Sequence, residues 1–271
     1  MIGAIAGDII GSLFESSPIK TEEFQLFHKH SRFTDDTVMT IAVTESILQN
    51  TSYAENMQKW GRKYPNAGYG ISFYHWIFSK NPEPYNSWGN GAAMKVSPIG
   101  MAFRNIDEVK AEAERSVIAS HNHPEGIKGA QAVASAVYYA RYFKDKTKIK
   151  DLIESDFGYN LDRKLIDIKK DYSFDVSCQG SVPEAIIAFL ESINFEDAVR
   201  KAVSLGGDSD TQACIAGAIA EAFYGGVPLI IEAEVRKRIP EEMITVIDEF
   251  YKRFVHPETE IYHTSGLESS E

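Results

Sequence analysis

Apolar residues recur at helical spacing along most of this chain and almost nowhere at the spacing of a strand. Met39, Ala42, Val43, Ser46 and Ile47 follow the i, i+3, i+4, i+7, i+8 pattern, and Phe195, Ala198, Val199, Ala202 and Val203 repeat it. Such a stripe sets one face of a helix against a core. Ile244, Ile247, Tyr251 and Phe254 mark a further face near the end of the chain, while 129–143, rich in Ala, Val and Tyr, reads as a helix buried nearly all round. Alternation is convincing only over Tyr172, Phe174 and Val176, a short segment with little else to pair with. The expected fold is all-α: a single compact multi-helix domain over 1–262, followed by a small, polar tail over 263–271 that is expected to be disordered. Gly206 and Gly207 precede one helix and Gly225 and Gly226 follow it, and Pro124 and Pro183 stand near expected helix starts. The stretch 65–98, with Gly68, Gly70, Pro82, Pro84, Gly89 and Gly91, is the least regular and is expected to be a functional loop.

Charge and cysteine content narrow the functional classes. A net charge of -11 argues against nucleic-acid or anionic-membrane partners, which need a basic surface. It leaves room for a nucleotide-like ligand held by backbone N–H groups and cations. Cys178 and Cys214 are the only cysteines, without a C-x-x-C spacing, so neither a disulfide scaffold nor a structural zinc site is expected. A reducing cytoplasm fits that usage. The apolar start of the chain lacks a basic region and carries Asp8 within it, which does not match a signal peptide. No run approaches the roughly 18 apolar residues of a membrane span.

Two segments share one design. Thr34-Asp35-Asp36-Thr37 runs into a helix expected from Val38, and Asp208-Ser209-Asp210-Thr211 runs into an Ala- and Gly-rich helix ending near Tyr224. Each puts two carboxylates beside hydroxyls at a helix N-terminus. Helix capping alone accounts for such a pattern, since Asp, Ser and Thr are favoured there and acids suit the dipole. A metal site accounts for it too. Asp208, Asp210 and Thr211 lie within one turn, all with hard oxygen donors, which selects magnesium, manganese or calcium over zinc. Ala213, Ala216, Gly217 and Ala220 permit close packing of that helix against another, a way to bring the two acidic ends together. Four carboxylates meeting there repel unless cations neutralise them, and two divalent ions roughly 3.5–4 Å apart are one solution.

Four motifs together resemble the ADP-ribosylglycohydrolase family: Gly7-Asp8-x-x-Gly11 with Glu15, Thr34-Asp35-Asp36-Thr37, Gly89-Asn90-Gly91-Ala92-Ala93-Met94, and Gly206-Gly207-Asp208-Ser209-Asp210-Thr211. The match spans about residues 1–226 in the family's order. The resemblance implies an all-α fold with a cleft holding two divalent cations, Mg2+ or Mn2+. It implies Thr34, Asp35 and Asp36 as ligands from one side and Asp208, Asp210 and Thr211 from the other. Glu15 and Asp36 are implied catalytic residues, with Glu15, near the end of the first helix, lying beside the metals and acting on the water or the leaving group. Ser87, Trp88, Gly89, Asn90 and Gly91 match the loop around the substrate's phosphates and ribose, where glycines let backbone N–H groups approach an anion. His121 matches a position near bound ADP-ribose, as a hydrogen-bond donor. A zinc reading of His121-x-His123 lacks further ligands. Tyr69, Phe73 and Trp88 are candidates to stack an adenine, although aromatic side chains are more often core. Relative to the family pattern, Lys95 stands where arginine is more usual and Glu221 where a small residue is common.

The activity implied is hydrolysis of the glycosidic bond between ADP-ribose and an acceptor, arginine or serine on a protein, releasing ADP-ribose. Alternatives are a small ADP-ribosylated molecule, such as ADP-ribosyl-guanidine or acyl-ADP-ribose, and a catalytically idle, crystallin-like relative. The intact set of oxygen donors argues against idleness.

Overall fold

A computed structural model of the chain describes residues 1–256. The boundary expected at 262 and the tail 263–271 lie outside the described residues. In chain order the helices are α1 (Ile2–Gly11), α2 (Asp35–Gln49), α3 (Tyr53–Lys63), α4 (Ile71–Phe78), α5 (Ser97–Ala102), α6 (Ile106–Val117) and α7 (Pro124–Phe143). Then come α8 (Lys146–Phe157), α9 (Leu165–Asp171), α10 (Cys178–Leu190), α11 (Phe195–Val203), α12 (Ser209–Tyr224), α13 (Leu229–Arg236) and α14 (Glu241–Phe250). A 3-10 turn spans Asn90–Ala92, and a π turn, Tyr251–Val255, continues α14. Among the described residues there is no strand, as the helical periodicity requires.

The centre is the pair α1 and α12, wrapped by α2, α7, α10 and α11. All ten residues of α1 are buried, as are fourteen of α12. Their axes approach closely because glycines face the contact. A Cβ on Gly7 would collide with the Ala213 carbonyl, and one on Gly11 would lie 2.6 Å from the Cα of Asp210. The small residues of α12 thus pack on the Gly3, Gly7 and Gly11 face of α1, which brings the C-terminal end of α1 against the N-terminal end of α12. Gly225 terminates α12 at a φ of 83°, the left-handed conformation glycine adopts without strain.

Three local expectations are corrected. Pro183 does not start a helix: Ser177 caps α10 by accepting from the Gly180 N–H at 3.0 Å, and Pro183 lies inside that helix. Its missing N–H leaves one helical bond unmade, which the buried surroundings tolerate. The stretch 65–98 is not wholly irregular, since Ile71–Phe78 forms α4 between Gly70 and Ser79. The alternating segment Tyr172–Phe174–Val176 runs extended but finds one antiparallel bridge, Gly89 to Ser177, rather than a sheet. Glu221, the departure in α12, accepts from the Gly3 N–H at 2.7 Å and from the Tyr251 hydroxyl, tying both ends of the described chain to the centre.

Candidate active site

Helix α2 begins at Asp35, earlier than Val38, so both of its acids sit in the first turn. Thr34 is the N-cap and accepts from the Asp36 N–H at 3.3 Å. Most of the capping is done from outside. Asp8, fully buried on α1, accepts from the Thr34 N–H at 2.9 Å, the Thr34 hydroxyl at 2.7 Å, the Thr37 N–H at 3.1 Å and the Thr37 hydroxyl. The carboxylates of Asp35 and Asp36 are thereby freed from capping duty.

The start of α12 separates the two readings of its motif more sharply. Asp208 occupies the N-cap position, yet its side chain makes no cap hydrogen bond. Its Oδ2 accepts instead from the Asn90 carboxamide at 2.7 Å, and Asn90 also donates to the Ser181 hydroxyl at 3.1 Å. The two acidic helix ends meet: the Thr211 hydroxyl donates to Asp36 Oδ2 at 3.2 Å. Among the described residues, Asp36 Oδ1 is buried without a partner. Glu15 stands in the bend beyond α1, exposed, and its carboxylate joins those of Asp208 and Asp210 with ligand atoms within 4.8 Å of one another. Glu15, from a separate segment, thus stands beside the acids of the two helix starts.

So many acids in one place shift one another. Burial, reinforced by the charges of Asp8, Asp208 and Glu15, pushes the Asp35 carboxyl up to about 8. Burial, with neighbouring carboxylates adding to it, also holds Asp36 and Asp210 well above the usual range. Asp8 rises to about 6 through burial, restrained by its four donors from Thr34 and Thr37. Glu15 is raised by partial burial and then by Asp208 and Asp8, with Arg32 opposing. Buried oxygen donors, mutual repulsion and an orphaned oxygen are the chemistry a hard divalent cation relieves.

These groups form one end of a cleft of about 580 Å³, within the ~300–1,000 Å³ typical of small-ligand sites. The 87–91 loop forms its other wall, held through the Asn90 N–H to the Val176 carbonyl at 2.7 Å and the Cys178 N–H to the Trp88 carbonyl at 3.0 Å. Ser87 accepts from the Gly89 N–H at 3.2 Å. His121 is buried against this loop. A Cβ at Gly91 would lie 3.2 Å from its Nε2, a tight contact. Its Nδ1 pairs with the Ser120 hydroxyl at 2.8 Å, and burial followed by the Lys95 charge lowers its proton affinity well below the ordinary value, leaving a neutral ring.

His123 has a separate role, capping α7 through Nδ1 and the Glu125 N–H at 3.1 Å. Of the aromatic candidates, Trp88 stands at the cleft mouth, 46% exposed, and Phe73 lies in the floor, stacked on Trp76. Tyr69 packs behind Phe73, outside the cleft lining. Both cysteines are buried free thiols.

Sequence reasoning gave no site role to four contributors. Asp8 orders the first turn of α2, and its signal was a lone acid in an otherwise apolar helix. Phe174 and Val176 line the cleft, although their alternation suggested only a strand. Lys95 is fully buried beside the loop and is drawn down to about 8 by burial, against the pull of Cys178, Asp35 and Asp36.

Comparison with known proteins agrees with this geometry. A model of the family described as ADP-ribosylglycohydrolase matches residues 1–260. The chain is 28% identical to ADP-ribosylhydrolase ARH3 of Xenopus tropicalis, over 83% of this chain and 86% of that one. It is 24% identical to ADP-ribosylarginine hydrolase Tri1 of Serratia proteamaculans, over 83% and 70%. A solved structure titled ADP-ribosylglycohydrolase-related protein complex superposes with a TM-score of 0.70 at 22% identity, covering 93% of this chain and 96% of that one, which shows the shared fold. Sequence and architecture together establish that this chain belongs to the ADP-ribosylglycohydrolase family.

Proposed function

We propose that this ADP-ribosylhydrolase cleaves the glycosidic bond between ADP-ribose and arginine, or serine, on a modified protein. The bond would lie at the acidic end of the cleft. Two divalent cations, magnesium or manganese, are assigned to Thr34, Asp35, Asp36, Asp208, Asp210 and Thr211, with Glu15 beside them. The observation that carries the reading is Asp208, an N-cap residue whose carboxylate makes no cap bond and faces its fellow acids instead. Bound cations supply Lewis acidity and a low-pKa water, which an all-oxygen site selects for in hard metals.

The chain's own groups supply the rest. The Thr34 hydroxyl donates its hydrogen bond to Asp8 and accepts one from the Asp36 N–H, which leaves an oxygen lone pair for a cation. Asn90 fixes Asp208. Cleavage at the anomeric carbon builds positive charge on the sugar ring, and Asp36 is assigned to stabilise it. Glu15, exposed and with raised proton affinity, is assigned the attacking water's proton. The 87–91 loop takes the diphosphate, neutral His121 the ribose hydroxyls, and Trp88 the adenine. The arginine acceptor follows the name of the Serratia relative, and the two buried free thiols suit a reducing cytoplasm.

The test compares ADP-ribose release from ADP-ribosylated arginine, serine and guanidine. Turnover of the arginine conjugate is expected to exceed that of free ADP-ribosyl-guanidine. Release from none of the three, with either metal present, contradicts the reading.

A further inference from the structure

Among the described residues, Lys95 is the only buried lysine or arginine, with no exposed surface. Burying an ammonium is far costlier than burying an apolar side chain of its length, so a compensating arrangement is expected around it. Direct partners are few, and the charges of Asp35 and Asp36 add to them. Nζ donates to the Gly91 carbonyl at 2.5 Å and lies 5.4 Å from the Phe73 ring centroid. Among the described residues the Gly91 carbonyl is its one hydrogen-bond acceptor. Lys95 does not line the cleft, so a ligand there meets it only through the turn it holds.

The turn itself is almost fully bonded. The Ala92 N–H goes to Gly89, the Ala93 and Met94 N–H groups to the Asn90 carbonyl, and the Asn90 N–H to Val176. Among the described residues the Gly91 N–H donates to nothing, and Gly91 lines the cleft. A backbone N–H kept free on a cleft-lining glycine is a donor for an anionic ligand. Its direction depends on the peptide planes on either side, one of which ends in the carbonyl that Lys95 grips.

We propose that Lys95 is a positioning residue whose buried ammonium clamps the Gly91 carbonyl from behind the cleft. The clamp keeps the Gly91 N–H available to the ligand's phosphates and holds Asn90 on Asp208. The proposal rests on the assignment of ADP-ribose to the cleft. It adds a residue that touches neither substrate nor cation and that sets affinity through one carbonyl.

The experiment measures ADP-ribose affinity, together with KM and kcat on ADP-ribosylated arginine, for wild type, K95M and K95R, with near-UV circular dichroism to confirm folding. Folded K95M is expected to bind ADP-ribose about 10–100-fold more weakly, the scale of a charge-assisted hydrogen bond. Its KM should rise by more than its kcat falls. K95R restores a charged donor and is expected within about threefold of wild type, the error scale of a lost neutral contact. Where K95M does not fold, K95Q, a neutral donor, takes its place and is expected to bind with intermediate affinity.

K95M or K95Q at wild-type affinity overturns the clamp while leaving ADP-ribose in the cleft. Folded K95R as weak as K95M also overturns it, because charge would then not be the operative property. Wild type that does not bind ADP-ribose overturns the assignment of the cleft and the clamp together.

Discussion

Asp208 and Asp210 stand two positions apart in sequence and differ in what holds them. Asp208 is tied to Asn90, whereas Asp210 accepts from the Thr211 N–H at 3.0 Å. Both carboxylates offer oxygens to one point shared with Glu15. Replacing either aspartate by asparagine removes charge while keeping an oxygen. D208N and D210N are expected to weaken manganese binding by more than ~10-fold, at least the cost of losing an outer-shell partner, and to lower turnover in parallel. E15Q is expected to lower kcat by ~10²–10⁴-fold with a smaller loss of manganese affinity, as a general base should. Manganese titration and turnover on the same three variants check this, and an E15Q protein at wild-type activity contradicts the role given to Glu15. The acids themselves were legible in the sequence, because helix-start chemistry and metal chemistry both call for Asp and Thr there. Asp8 was legible only as a lone acid in an apolar helix and Lys95 only as a departure from a pattern, since nothing in one dimension shows which turn a buried charge holds.

The element that organises the site is α1, which the sequence marks by small residues rather than by any chemistry of its own. Its glycines set the separation from α12, and its Asp8 caps α2, so one short helix locates both acidic ends. G7A inserts a methyl group against the Ala213 carbonyl. It is expected to cost about 1–3 kcal/mol in unfolding free energy, the range for overpacking a tight interior. G70A, where an added Cβ meets nothing within 4 Å, should change stability by no more than ~0.5 kcal/mol. Urea denaturation of the two variants decides the matter, and a G7A protein as stable as G70A contradicts the packing account. Periodicity legibly announced α2, α7 and α11, each with an apolar face against the core. It failed at 172–176, where an extended segment serves as cleft wall, and the proline signal failed at Pro183, where buried surroundings tolerate a missing N–H.

At the scale of the whole molecule, the cost of gathering these acids should appear in stability against pH. Asp8 and Asp35 have folded-state values of about 6 and about 8, above the ordinary 3.8. Folding therefore takes up protons. The stability these groups lend is full below their ordinary value and is lost as pH rises through 6 and 8. With chelator present, the melting temperature is expected to fall between about pH 5 and 8.5, and magnesium or manganese is expected to reduce that fall by replacing the protons. A chelated protein that becomes more stable across this window contradicts the account.

The same acidic cluster underlies the central claim, that two helix starts form one cation-dependent centre for cleaving an ADP-ribose conjugate. The direct test is release of ADP-ribose from ADP-ribosylated arginine by chelator-dialysed protein, then after adding magnesium, manganese or zinc. The account predicts no release after dialysis, recovery with magnesium or manganese, and none with zinc. Undiminished release by the dialysed protein would contradict it.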